Sequence, residues 1–277
     1  MPVRLLSLLV AVLLCALPLR AQTVDPAAVI KTLRIPEMIA VMQDEGIAYG
    51  DDLEDQLFPG AGGSRWDQAV ARVFGGPALL QRFQSAFAER LAADPQAMDQ
   101  IVGFFGTERG QQILSLEIGA RRALLDEAVE EAAAVSVDDM RARDDPRLAL
   151  LERFVAANDL IEQNVSGGLN ASFAFYQGMS DGGAFDAAPM PEADMLAEVW
   201  SQEPDIRADT ESWLYPFLAL AYEPLSDADL QAYLAFSESA AGRTMNAAMF
   251  AAFDEVFRAL SRDLGRAAAD MLSGQDI

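Results

Sequence analysis

The stretch MNAAMFAAFDEVFRALSRDLGRAAADML, residues 245–272, decides the fold class of this chain. Met245, Met249, Phe253, Val256, Leu260, Leu264, Ala267 and Met271 recur at spacings of three and four, while Arg258, Arg262, Asp263 and Arg266 fall off that line. At 3.6 residues per turn this spacing lays one apolar stripe along an amphipathic helix. About 30 residues at 1.5 Å each make a rod of roughly 45 Å, long enough to run across a whole molecule. Its methionines and phenylalanine are expected to be core rather than the wall of a ligand groove.

Just upstream, Ser226 with Asp227 and Asp229 forms a helix start, where the hydroxyl satisfies a free N–H and the acids complement the dipole. Leu230, Tyr233, Leu234 and Phe236 then face inward. Further out, Pro59-Gly60-Ala61-Gly62-Gly63, Gly75-Gly76-Pro77, Asp94-Pro95, Asp144-Asp145-Pro146, Gly182-Gly183, Pro189-Met190-Pro191 and Glu223-Pro224 mark turns or helix boundaries. The segments between them are rich in Ala, Leu, Met, Glu, Gln and Arg, good helix formers, and lack the alternation of strands. The chain reads as all-α, a helical bundle.

Laying Phe104 on Phe236, a shift of 132 residues, pairs Met98 with Leu230, Ile101 with Tyr233, Gly110 with Gly242 and Ile113 with Met245. The shared feature is Phe104-x5-Gly110 and Phe236-x5-Gly242, each at a junction where one helix ends and a longer one begins; the glycine there suits a bend or close packing. Leu33 to Ile39 and Phe154 to Leu160 match with a shift nearer 121. These pairs predict two similar helical halves, residues 22–143 and 144–277, each ending in a long amphipathic helix and packed together as one unit.

The N-terminus reads as an export signal. Arg4, the apolar run Leu5 to Leu14, Pro18 and the small residue Ala21 supply the basic start, apolar middle and cut site of a secretory signal peptide over residues 1–21. Leu14 stands where lipid attachment at Cys15 would require a small residue, and no later segment is apolar for the length of a span, so the mature protein is expected to be soluble. Cutting after Ala21 would remove Arg4 and Arg20 but no acid, taking the net charge from −23 to −25. Such a charge repels polyanions and makes nucleic acid and an anionic membrane surface improbable partners. The chain has no histidine, and its one cysteine would leave with the signal. That excludes Ser-His-Asp and Cys-His nucleophilic machinery, the usual zinc sites and internal disulfides.

In an acidic, exported, all-helical chain, Phe104-Phe105-Gly106-Thr107-Glu108-Arg109-Gly110-Gln111 and the segment Tyr233 to Arg243 resemble the aromatic, Ser/Thr and Gly pattern of the bacterial domain-of-unknown-function 2059 family. The likeness covers both long-helix regions and hardly touches Gly167 to Pro191. It implies a Gram-negative, periplasmic helical protein with no assigned activity, and it supplies no catalytic residue.

Acids are the only plentiful reactive groups, and two carboxylates can hydrolyse glycans without histidine. Glu238-Ser239 resembles the Glu-Ser pair of helical lytic transglycosylases but lacks their downstream glycine and aromatic residues, so Glu238 is expected at the surface near a helix boundary. Asp51-Asp52-x-Glu54-Asp55, and Asp138-Asp139 with Asp144-Asp145, lack calcium-loop spacing and suit solvated faces or caps. Gly60 to Arg65 lacks a Walker lysine and reads as a loop with Ser64 capping the next helix. Asn164-Val165-Ser166 and Asn170-Ala171-Ser172 match glycosylation acceptors that mean little in a bacterial chain. Trp66, Trp200 and Trp213 are scattered and read as core anchors, and Gln177 to Ala184 as a mobile loop. No catalytic, cofactor or metal residue is assigned, and Phe104, Gly110, Phe236 and Gly242 are the structural motif residues. The expectation is a non-catalytic periplasmic binding or envelope-maintenance factor for another protein or a small apolar ligand, with a carboxylate-only hydrolase or lyase of cell-wall glycan as the alternative.

Overall fold

The structure, a computed structural model, describes residues 24–274; the expected signal peptide, with Cys15 and the cut at Ala21, lies outside the described residues. Among the described residues there are thirteen α-helices and no strand: α1 (Pro26–Thr32), α2 (Ile35–Leu57), α3 (Gly63–Phe74), α4 (Ala78–Leu91), α5 (Pro95–Phe105), α6 (Glu108–Ala123), α7 (Glu127–Ala142), α8 (Pro146–Ala157), α9 (Leu160–Asp181), α10 (Glu192–Ser201), α11 (Glu203–Tyr222), α12 (Asp227–Ser237) and α13 (Ala240–Ser273). None of them is long and apolar enough to cross a membrane.

The helix boundaries follow local chemistry. Asp25, Asp94 and Asp145 accept from the first-turn N–H groups of α1, α5 and α8, and each is followed by a proline that loses nothing at that position. Ser226 accepts from the Asp229 amide at 3.2 Å, as its sequence context predicts. Ser64 does not cap α3. Glu54 does so instead: its Oε1 accepts from the amides of Gly62 at 2.9 Å and Gly63 at 3.2 Å, reaching across from the end of α2. Arg34 and Asp159 precede the long helices α2 and α9 in the left-handed conformation, with φ of 54° and 51°.

The 34-residue α13, about 51 Å long, is the spine, and its most extensive neighbour is α9. From Val256 onward its predicted stripe faces the core: Val256, Leu260, Leu264 and Met271 are buried, and Ala267 is half-buried against them. The earlier part, Met245, Met249 and Phe253, is only half-buried, because the helices facing it leave a cavity. One continuous apolar cluster runs from Val29 to Met271, so the two sequence halves share a core. Trp66 is fully buried and donates its indole N–H to the Gly50 carbonyl at 2.8 Å, whereas Trp200 is 65 % exposed on α10, whose free face it shares with the exposed Leu196.

Gln177 to Ala184 is not a mobile loop. Its first five residues are the last turn of α9, and only the turn after Asp181 is irregular. Two of the glycines that suggested a loop, Gly178 and Gly182, are packing positions, while Gly183 makes the turn with φ of 83°. A methyl group at Gly178 would fall on the Arg262 backbone, one at Gly265 on the Phe175 carbonyl, and one at Gly182 on the Ala269 side chain. Glycine lets the two helix backbones touch, which no larger side chain allows.

Gly178→Ala is accordingly expected to lose about 2–3 kcal/mol of stability in urea unfolding, since the clash is with backbone. Gly103→Ala, in open space within α5, is expected to be neutral or slightly stabilising.

Candidate functional site

The two motif segments meet, with Phe104 and Phe236 half-buried against each other. Phe104 and Phe236 stack with ring centroids 4.4 Å apart and 18° between their planes, a contact contributing about 0.5–1.5 kcal/mol beyond burial. Each is followed by the same cap: the Thr107 hydroxyl donates to the Phe104 carbonyl at 2.7 Å and accepts from the Gly110 amide at 3.1 Å, and the Ser239 hydroxyl does so with Phe236 at 2.6 Å and Gly242 at 3.0 Å. A methyl group at Gly110 or Gly242 would collide with the backbone at the end of the preceding helix. The tight corner thus requires glycine and sets how each long helix leaves it.

The stack supports Tyr233, which lies 6.0 Å from Phe104 between ring centroids and packs edge-on to Phe105 at 5.9 Å. Tyr233 in turn forms one wall of a cavity of about 320 Å³. Met38 and Met42 come from α2, Glu117 and Arg121 from α6, and Phe154 and Asn158 from α8 and its end. Leu160 and Asn164 come from α9, and Trp213, Phe217 and Tyr222 from α11. Met245, Asn246, Met249 and Phe253 of α13 close it. Trp213 and Phe217 stack nearly parallel at 4.9 Å, with the Arg121 guanidinium 5.5 Å from the Trp213 ring centre. Another depression, of about 620 Å³, is edged by exposed polar residues such as Gln81, Arg82, Glu89 and Glu255.

Among the described residues, Glu117 is the only carboxylate and Arg121 the only cation in the cavity wall. The hydroxyls of Tyr222 and Tyr233 both donate to Glu117 Oε1, at 2.6 and 3.1 Å. Arg121 turns away to Glu45 on α2, at 2.6 Å. Arg147 of α8 holds Tyr222 from behind by donating to its carbonyl at 2.5 Å and to that of Leu225 at 2.8 Å. Removal from water pushes the Glu117 carboxyl up to about 6, although the two tyrosine hydrogen bonds pull the other way. Burial, followed by the nearby carboxylate, raises both tyrosines well above the ordinary phenol value. Asn246 donates to the Asn158 carbonyl at 2.9 Å and joins α13 to the α8–α9 corner.

Sequence reasoning missed this group. Its visible signal was an acid on an apolar face, since Glu117 follows the buried Ile113 and Leu114 by one turn and precedes the buried Ile118. Glu238 lies at the surface, as expected, bound through both oxygens to Arg153 at 2.7 and 2.9 Å. Of the acidic runs, Glu54 and Asp145 are caps and Asp138 pairs with Arg141 at 2.9 Å. Among the described residues no group of three or more potential metal ligands converges. No family model, no curated protein and no solved structure matches the chain.

The raised Glu117 carboxyl binds its proton more tightly in the folded chain than in the unfolded one, so its contribution favours folding below about pH 4.5 and is lost as pH rises through about 6. The stability difference between wild type and Glu117→Gln, followed by urea unfolding, is expected to shift against wild type by about 1–2 kcal/mol across that window. A difference that stays flat with pH would contradict the desolvation of Glu117.

Proposed function

We propose that the chain is an exported, non-catalytic binding factor of the bacterial envelope, whose central cavity takes one small and mostly apolar ligand. The observation that carries this reading is the cavity itself, a space walled by methionine and aromatic side chains with a few converging polar groups, the usual composition of a small-molecule site. Methionines from α2 and α13 adapt their shape to an occupant at little cost. The space favours a small ligand over a protein partner. The alternative of a glycan hydrolase needs two carboxyl groups facing across a cleft, and here one carboxylate reaches the cavity while Glu238 is tied to Arg153 at the surface.

The same reading includes descent from two related halves and kinship with the domain-of-unknown-function 2059 family. Six helices stand on either side of α7, and the Phe104 and Phe236 corners repeat bond for bond. The left-handed residues Arg34 and Asp159 extend the pairing upstream, four residues further along than the sequence match of Leu33 with Phe154.

Nile red, a neutral apolar dye, is expected to bind the mature chain at one site, and Met249→Trp, which fills the cavity, to weaken it at least tenfold. Dye binding that ignores this substitution would place the site elsewhere and overturn the reading. Export predicts recovery of the protein from the periplasm with Gln22 as its N-terminal residue by mass spectrometry.

A further inference from the structure

We infer that the occupant of the cavity is a monocationic amphiphile, an amine or quaternary ammonium on an apolar body, with the Glu117 carboxylate as its counter-ion. This rests on the reading of the cavity as a small-ligand site and adds the charge of the ligand.

Both tyrosine hydroxyls spend their hydrogen bonds on Oε1, and Oε2 of Glu117 has no hydrogen-bond partner among the described residues. No side-chain polar atom sealed from solvent lacks a partner there, so Oε2 keeps accessible surface, and the wall that Glu117 forms is that of the cavity. Arg121, the only cation of the same wall among the described residues, is committed to Glu45 and stacked on Trp213. The cavity therefore presents one carboxylate with no neutralising partner. An acidic ligand would meet like charge, and a neutral one would leave a partly desolvated anion uncompensated. An ammonium group both compensates the charge and donates to Oε2.

The surroundings suit that group. The aromatic side chains of Tyr222, Tyr233 and Phe154 line the same space, and aromatic rings attract cations most strongly where water is excluded. The chain's net charge of −23 raises the local concentration of cations and lowers that of anions. The volume equals that of roughly ten liquid waters at about 30 Å³ each, which matches a ten-carbon chain with one polar end.

Protons compete with the ligand for Glu117. The titratable groups around it are Tyr222 on α11 and Tyr233 on α12, with Arg121 on its own helix held by Glu45 of α2. The groups reaching the cavity from α8, α9 and α13 are neutral. Both tyrosines stay protonated across the acidic range, so Glu117 is the group whose ionisation changes there.

Calorimetric titration of the mature chain with decylamine, 1-decanol and decanoate tests this at about 0.15 M salt, which screens attraction to the distant acids. Near pH 7.5 the amine is expected to bind at least tenfold tighter than the alcohol, with decanoate weaker than both. The amine-to-alcohol ratio should collapse toward one in Glu117→Gln, and in wild type it should fall about tenfold as the pH drops to about 5. Equal binding of amine and alcohol, or preference for decanoate, overturns the cationic ligand while leaving the cavity reading in place. Binding of none of the three overturns both. Should Glu117→Gln fail to fold, the wild-type pH series decides alone, and a ratio that does not change with pH overturns the inference.

Discussion

The backbone-to-backbone approach of α9 and α13 is the constraint on which the remaining packing depends. Gly178 and Gly265 each occupy a point where a single methyl group would strike the opposing main chain. Once these helices are in contact, the position of α13 along its whole length is set. Its C-terminal half then packs against α3 and α4, and its N-terminal half is held off from α2 and α11. The cavity is the space left by that difference. It occurs where half-buried methionines replace the buried alanines and leucines found further along the helix.

A second contact fixes the other end of α13. The stacked Phe104 and Phe236 join the ends of α5 and α12, and α13, which starts at the second glycine corner, packs against α5. Glu117 lies two turns along α6 from Gly110, so the corner that looks purely structural also positions the acid. Tyr233, packed on the stack, donates to the carboxylate from α12. Desolvating a carboxyl group is costly, and two tyrosine hydroxyls on a single oxygen offset only part of it.

The helical class and most boundaries were legible in the sequence because they depend on local rules. Asp94-Pro95 and Asp145-Pro146 are start signals that function within a single turn, and the period of residues 245–272 needs no tertiary knowledge. What failed were inferences about partners distant in sequence. Gln177 to Ala184 has the composition of a loop, but Gly178 and Gly182 answer to α13, more than eighty residues away. Ser64 is a good cap by type, yet Glu54 arrives from the preceding helix and takes the role. Trp200 looked like a core residue and is exposed, while Trp213 sits beside an arginine at a cavity wall. The Phe104 and Phe236 match was readable because both copies obey the same local corner chemistry. Glu117 was visible only as an anomaly on an apolar face, and its tyrosines lie more than one hundred residues further on.

The walls of the cavity come from seven helices spread between Met38 and Phe257. The wall needs both α2 and α13, so it is complete only when α13 docks, and anything that enters touches helices far apart in sequence at once. Occupation at one hundred times the dissociation constant adds about 2.7 kcal/mol to folding stability. With Cys15 as its only cysteine, the chain cannot close an internal disulfide. A bound molecule would therefore work as a removable clasp, and loss of the occupant would loosen the N-terminal half of α13 before the glycine-packed remainder.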